Sequence, residues 1–178
     1  MAPRRNTASP CGSTPMAAYA GFAASGMPWQ KLKLALIDER YVPVSDSRSN
    51  EASIAAAFAG VKDRLGAWQG LYSESEGIAA CAAAADAALQ AFGLPFDVTV
   101  VGMGSDGHIA SLFAESADYE AAMSADGMRT VMPVRFAAES GMADRLSMTL
   151  PALLETRHVL ICITGDDKRD VLQRSLDG

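Results

Sequence analysis

An α/β fold with three layers and a mainly parallel sheet is the fold class that the sequence predicts. Strand-like segments alternate with helical segments along the chain, which is the pattern of a sheet covered by helices. A strand pattern over residues 96–101 runs directly into a turn with three glycines within six residues. Neither a repeat nor a low-complexity linker divides the chain. We therefore expect one domain over residues 12–178, after a poorly ordered start over residues 1–11.

The first part of the chain predicts two helices on either side of a strand. Thr14 suits the N-cap of a helix over residues 15–24, because a proline then occupies the first helical position. A short strand follows over residues 32–37. Ser49 can cap a second helix over residues 51–61.

The rest of the chain continues the alternation. Ser73 and Glu76 form a capping-box pattern before a helix over residues 77–92, whose apolar side chains repeat along one face. Strands are expected over residues 97–101, 130–134, 145–150 and 158–164, and helical segments over residues 119–123, after Pro151 and from Gly165 onwards. The strand over 158–164 is the most apolar, so we expect it to be buried.

Composition limits the classes of partner. Of the 178 residues, 49% are hydrophobic and 20% are charged, as in ordinary globular proteins. The net charge of −6 argues against nucleic acid or an anionic membrane as a partner, whereas a small anion needs only a few local cations. Cys11, Cys81 and Cys162 are scattered and odd in number, which predicts reduced thiols, a cytoplasmic protein and no structural zinc. Arg4 and Arg5 lack the apolar segment of a signal peptide behind them.

The glycine turn matches the dinucleotide-binding fingerprint, because Gly102, Gly104 and Gly107 follow a strand at the required spacing. Such a site also needs an acid at the end of the next strand to hold the ribose. The next predicted strand, residues 130–134, ends in Arg135 instead. A dinucleotide-dependent oxidoreductase is therefore a weak alternative.

Asp106 and His108 lie just beyond the predicted strand, where open α/β sheets bind ligands. Histidine titrates near neutral pH and can act as a general base, and an acid two residues away can orient its ring. The structural alternative is that Asp106 caps a following helix and His108 is a packed polar residue. We favour the functional interpretation for this pair and a structural role for His158, which precedes the apolar strand.

Several groups suited to binding an anion lie at the ends of predicted elements: Gly12, Ser13, Thr14, Arg40, Arg145 and Lys168. A helix N-terminus offers backbone N–H groups, an arginine offers two parallel donors and a lysine offers a point charge. Each cation taken alone is typical of a protein surface. Together they would form a phosphate pocket, provided that the fold brings them together.

Five sequence blocks resemble the 6-phosphogluconolactonase family, within the wider glucosamine-6-phosphate isomerase/deaminase superfamily. They are residues 12–15, residues 38–43 with Ser49 and Asn50, residues 102–113, residues 145–149 and residues 165–168. Asp-Glu-Arg at residues 38–40 is similar to the lactonases, whereas the deaminases usually have Asp-Glu-Tyr. Ser-Leu-Phe at residues 111–113 is also similar to the lactonases, whereas the deaminases have Phe-Asn-Glu.

The resemblance implies a Rossmann-like fold of the sugar-phosphate isomerase/lactonase type. It implies hydrolysis of 6-phosphogluconolactone to 6-phosphogluconate in the pentose phosphate pathway, without a metal or an organic cofactor. His108 would be the general base, with Asp106 orienting it. The implied substrate-binding residues are Gly12, Ser13, Thr14, Asp38, Arg40, Gly104, Arg145 and Lys168. A related isomerase or deaminase and a non-catalytic sugar-phosphate-binding protein remain alternatives.

The chain departs from the family pattern at three places. Family members usually have Ser-Gly-Gly-Ser-Thr-Pro at the first block, where this chain has Pro10 and Cys11 before Gly12. Proline removes a backbone donor and cysteine is less flexible than glycine, so the loop is altered where it would wrap a phosphate. The family also has a helix and a strand before this block and a strand after the last. We expect these to be missing here, which would leave sheet edges exposed.

Overall fold

The computed structural model describes residues 5–9, 13–124 and 128–177, and it describes side chains outside residues 5–9, 13–15 and 17. The strands are β1 (Arg5–Ser9), β2 (Leu32–Leu36), β3 (Asp38–Arg40), β4 (Ala67–Gln69), β5 (Val98–Gly102), β6 (Val131–Val134), β7 (Arg145–Met148) and β8 (Val159–Cys162). The helices are α1 (Ser13–Ala23), α2 (Asn50–Ala57), α3 (Ile78–Phe92), α4 (Tyr119–Met123), α5 (Leu150–Leu154) and α6 (Asp166–Asp177).

Five strands form a parallel sheet in the order β4-β2-β1-β5-β8. Strand β2 is buried on both faces, since Leu34, Ala35 and Leu36 are at most 3% exposed. Burial of successive residues is what a parallel strand shows when both faces of its sheet are covered. The α/β class predicted from the alternation of strands and helices is thus confirmed.

A second, antiparallel sheet contains β3, β7 and β6 in that order. Strand β3 follows β2 after one residue, Ile37, whose carbonyl accepts a hydrogen bond from the Met148 N–H at 2.8 Å. The chain therefore passes from the parallel sheet into the antiparallel one without a loop. The sequence did not predict this second sheet, because the pairing of β3 with β7 joins segments about a hundred residues apart and leaves no local signal.

The core joins the helices to both sheets. Where α1 and α2 meet, Trp29 packs edge-on against Phe22 and Phe58, with ring centroids 5.3 and 6.4 Å apart. Helix α3 packs against β6 and β7. Its buried side chains are Cys81, Ala82, Ala85, Leu89 and Phe92, and their spacing agrees with the predicted apolar face.

The three predicted helix caps have different outcomes. Helix α1 begins at Ser13, so Thr14 lies within its first turn and is not its N-cap. Ser49 caps α2 as predicted, and its hydroxyl accepts a hydrogen bond from the Ala52 N–H at 3.1 Å. The capping box of Ser73 and Glu76 is wrong. Gly77 is the N-cap of α3, with a φ of 90° and no side-chain cap, and the Ser73 N–H donates to the Cys81 sulfur instead.

Two expectations about the start of the chain are wrong at residues 5–9. Residues 1–11 were expected to be poorly ordered, and the strand before the first family block was expected to be missing. Residues 5–9 form β1, which pairs with β2 on one side and with β5 on the other. A strand between two neighbours satisfies its backbone groups on both sides, so it can form without an apolar pattern of its own. Residues 10–12, which include the altered positions Pro10 and Cys11, lie outside the described residues.

The expected burial of the last strand is also wrong. Strand β8 lies at the edge of the parallel sheet, and β5 is its one partner among the described strands. Val159, Leu160 and Ile161 are 44%, 52% and 48% exposed. The apolar composition predicted a strand covered on both faces, but the described elements leave both faces of this edge strand partly uncovered.

Candidate active site

The glycine turn at the end of β5 is a closed hairpin. Met103 and Ile109 form an antiparallel bridge, and the Gly104 N–H donates to the His108 carbonyl at 2.8 Å. Gly107 has a φ of 91°, a conformation that favours glycine. A Cβ added at Gly104 would overlap Asp106 Oδ1 and His108 Nδ1. Glycine at position 104 therefore makes room for the two titratable side chains to meet.

Asp106 and His108 are hydrogen-bonded, with 2.6 Å between Asp106 Oδ1 and His108 Nδ1. Burial acts to raise the pKa of Asp106, but the hydrogen bond and charge of His108 outweigh it, so this pKa lies below its ordinary value. An ionised carboxylate at Nδ1 favours the tautomer with a proton on Nδ1, which leaves Nε2 free to accept one. The structure brings the two side chains together, and the orienting role of Asp106 stays a prediction.

Phe113 supports the histidine from one face. The two ring centroids are 3.9 Å apart and the ring planes are inclined by 32°. The guanidinium carbon of Arg145 lies 5.0 Å from the same phenyl centroid, within the range of a cation–π contact. A single aromatic ring thus contacts both the candidate base and a candidate anion-binding residue.

A cavity of about 450 Å³ opens beside the histidine. Its lining includes Asp106, His108, Leu112, Tyr119, Leu150 and Val171. A volume of this order is typical of small-molecule sites, in which a mainly apolar wall carries a few polar groups. The cavity lies between the glycine turn and helices α4, α5 and α6.

Arg40 and Arg145 face each other directly in the antiparallel ladder of β3 and β7. The Arg40 guanidinium donates to the Arg48 carbonyl at 2.9 Å and to the Asn50 side-chain oxygen. Burial, and then the charge of Arg40, lower the pKa of Arg145. Its buried Nε has no hydrogen-bond partner among the described residues. Like charges directly opposite each other destabilise a ladder, so an anion bound between the two guanidinium groups would relieve their repulsion.

Asp38 lies next to the arginines and is only 4% exposed. Its Oδ2 accepts a hydrogen bond of 2.7 Å from the Ser111 hydroxyl, and its Oδ1 is unpaired among the described residues. Burial raises the pKa of Asp38, against the lowering effects of the Ser111 hydrogen bond and the charges of Arg145, Arg40 and His108. The pKa of the Asp38 carboxyl group therefore responds both to the candidate base, His108, and to the two arginines.

Glu39 belongs to the site region although the sequence does not mark it as functional. Its fully buried carboxylate accepts four hydrogen bonds of 2.7–2.9 Å, three from backbone N–H groups and one from a hydroxyl. The donors are Arg40 N, Asn50 N, Glu51 N and Ser49 Oγ. The carboxylate thus fixes the start of α2 against β3 and holds Arg40 in place. Ser111 and Phe113 were likewise not predicted as site residues. Both partners of Ser111 are distant in sequence, and Phe113 contacts the distant Arg145 as well as the nearby His108.

For the remaining predicted site residues, the structure describes only part of the side chains and contacts. Gly12 lies outside the described residues, and Ser13 and Thr14 begin α1 without described side chains. Lys168 lies in the first turn of α6, the helix that lines the cavity through Val171. His158 is exposed at the start of β8 and does not line the cavity.

Over residues 5–9, 13–124 and 128–177, no group of three or more His, Cys, Asp or Glu side chains could hold a metal ion. None of the described helices has both the length and the apolar character needed to cross a membrane.

Comparison with known proteins shows a consistent set of relatives. A family model described as Glucosamine-6-phosphate isomerases/6-phosphogluconolactonase matches residues 6–178. The chain is 37% identical over 158 residues to the 6-phosphogluconolactonase of Mesorhizobium japonicum, which covers 89% of this chain and 66% of that protein. It is 33% identical over 164 residues to that of Rhizobium meliloti, covering 92% and 70%.

The solved structures agree with these relatives. The crystal structure of a 6-phosphogluconolactonase from Shewanella baltica matches with a TM-score of 0.88 and 26% identity, covering 97% of this chain and 72% of that one. The chain thus spans 66–72% of the length of these three relatives.

Proposed function

The chain belongs to the glucosamine-6-phosphate isomerase/6-phosphogluconolactonase family, and we propose that it hydrolyses 6-phosphogluconolactone to 6-phosphogluconate with His108 as the general base. The relatives from Mesorhizobium japonicum and Rhizobium meliloti carry the name of this activity. The residues that distinguish the lactonases in the sequence, Arg40 and the segment 111–113, also lie at the site.

His108 performs the proton transfers. Its Nε2 takes a proton from water while the water oxygen attacks the lactone carbonyl carbon. The tetrahedral intermediate then breaks its bond to the ring oxygen, which receives the proton and becomes a hydroxyl group. A positioned base of this kind contributes about 10²–10⁴ in rate. Asp106 keeps the ring in the required tautomer through the 2.6 Å hydrogen bond.

The positively charged side chains have two separate roles, stabilisation of the oxyanion and binding of the substrate phosphate. The N–H groups of Gly104 and Gly107 donate inside the turn, so they are engaged. We therefore assign stabilisation of the developing oxyanion to Arg40. Arg145 and Lys168 bind the substrate phosphate, and the resemblance to the family implies further donors from Gly12, Ser13 and Thr14.

The observation that carries this proposal is the position of Phe113 between the two halves of the site. His108 stacks on the phenyl ring at 3.9 Å, and Arg145 lies 5.0 Å from the same ring. A base and a cation that share one ring are close enough to act on one small phosphorylated substrate. The cavity beside His108 supplies the space for its sugar.

Hydrolysis of freshly prepared 6-phosphogluconolactone, corrected for its spontaneous loss, tests the proposal. We expect turnover by the wild-type protein and a 10²–10⁴-fold lower kcat in His108→Ala, with a KM close to normal. His158→Ala is the matched control and should keep full activity, because His158 lies outside the cavity lining. Absence of turnover in folded wild-type protein would contradict the proposed activity. A near-normal kcat in His108→Ala would show that His108 is not the general base.

A further inference from the structure

Ser111 joins the loop that carries His108 to the antiparallel sheet. Its hydroxyl donates to Asp38 Oδ2 at 2.7 Å, and its backbone N–H donates to the Ser147 hydroxyl at 3.2 Å. Asp38 and Ser147 are opposite each other in the ladder of β3 and β7. The fully buried Ser111 therefore touches both strands at one point of the register.

His108 lies between this attachment and a second one. On the N-terminal side, the bridge from Met103 to Ile109 and the hydrogen bond from Gly104 hold the turn to the end of β5. On the C-terminal side, Ala110 adopts a φ of 49°, which is uncommon for a residue other than glycine. A conformation of this kind persists where its surroundings hold it, and Ser111 is the next residue.

We propose that Ser111 is a positioning residue, whose two hydrogen bonds set the distance between His108, in the turn after β5, and Arg40 and Arg145, on the antiparallel sheet. This rests on the proposed function, since it concerns how the base and the cations meet around one substrate. Ser111 does not touch the reacting atoms. It acts through Asp38, which neighbours Arg40 and Arg145 on the strands that carry them.

The expected effect follows from burial. Without the Ser111 hydroxyl, neither oxygen of the Asp38 side chain would keep a hydrogen bond from the described residues. A buried carboxylate in that state draws other donors towards it or moves, and in both cases the loop loses its fixed position. A misplacement of about 1 Å in a catalytic constellation can cost about 10²-fold in rate.

The kinetic test compares Ser111→Ala with Ser116→Ala at a temperature at which both are folded. Ser116 is also buried and follows in the same segment. Its hydroxyl oxygen accepts a hydrogen bond from the Asp118 N–H at 3.1 Å and has no contact with Asp38 among the described hydrogen bonds. We expect kcat/KM to fall 10- to 100-fold in Ser111→Ala, mainly through kcat, and to stay within twofold in Ser116→Ala. A lower Tm with an unchanged kcat in Ser111→Ala would overturn the proposal.

A double-mutant cycle with Asp38→Asn tests the route of the effect. If Ser111 acts through Asp38, adding Ser111→Ala to Asp38→Asn should change kcat by less than threefold. Full additivity of the two effects would contradict the proposed route.

A spectroscopic measurement separates this inference from the proposed function. The chain has two histidines, so the ring signals of His108 are those missing from the NMR spectrum of His108→Ala. These signals should shift in Ser111→Ala and stay in place in Ser116→Ala, whether or not the lactone is a substrate. Loss of the proposed function with shifted signals would leave the positioning role intact, and unshifted signals would refute it.

Discussion

The glycine turn over residues 102–108 and the ladder of β3 with β7 carry opposite halves of the proposed site and are built in opposite ways. In the turn, the partners of His108 lie within a few residues and the Asp106 side chain is 52% exposed. In the ladder, partners lie more than a hundred residues apart, and Asp38, Glu39 and Ser147 are at most 4% exposed. The turn therefore holds its chemistry locally, whereas the ladder depends on the whole fold.

This difference predicts what a substitution costs in each region. A polar group buried in the ladder is paired or flanked by charges, so its removal leaves uncompensated groups and lowers the stability of the fold. An exposed group in the turn can be replaced by water, so its removal should affect the rate and not the stability.

Glu39→Ala should give the largest effect, and the effect should be on folding. The substitution removes a fully buried acceptor from four hydrogen-bond donors, two of which are themselves only partly buried. We expect the free energy of unfolding, measured by urea denaturation, to fall by about 3 kcal/mol or more. The exposed Glu139→Ala is the control and should stay within about 0.5 kcal/mol. A similar small change in Glu39→Ala would show that the ladder does not depend on its buried carboxylates.

The same contrast explains how much of the site the sequence could predict. The contact of Asp106 with His108 was predictable, because glycines, an acid and a histidine within seven residues specify a turn by local chemistry. The meeting of Arg40 and Arg145 was not, since their opposition depends on the register of two strands about a hundred residues apart. For the same reason the sequence marked Arg40 and Arg145 as separate candidates and could not show that they converge.

The same distinction between local and long-range contacts applies to the prediction of the fold. Local patterns predicted the helices and most strands, and Ser49 was correctly identified as a cap. Strand β1 was missed, because its formation depends on two neighbours that come later in the chain and not on its own composition. The edge position of β8 could not be predicted from the sequence either, since an apolar run has the same composition whether or not other elements cover it.

Arg145→Gln should show an effect of intermediate size that appears mainly in substrate binding. The substitution removes a charge from the proposed phosphate contact, and hydrogen bonds to charged groups are worth about 1.5–3 kcal/mol. We therefore expect a KM for the lactone about 10- to 100-fold higher, measured by initial rates under the conditions used for the wild-type protein. Arg157→Gln, at a side chain 69% exposed with a 3.4 Å contact to Asp97, should leave KM unchanged. An unchanged KM in Arg145→Gln would remove Arg145 from the phosphate site.

Asp106→Asn should give the smallest effect, because it replaces a half-exposed group of similar shape in the turn. The amide keeps a partner for His108 Nδ1 but loses the charge that favours one tautomer, so we expect kcat to fall roughly tenfold. Stability should change by less than about 0.5 kcal/mol, as for most surface positions. A loss of kcat as large as that of His108→Ala would mean that the carboxylate and the imidazole act as one unit despite their exposure. An unchanged kcat would assign the orientation of His108 to its stack on Phe113, so that even the local half of the site would depend on a packed ring.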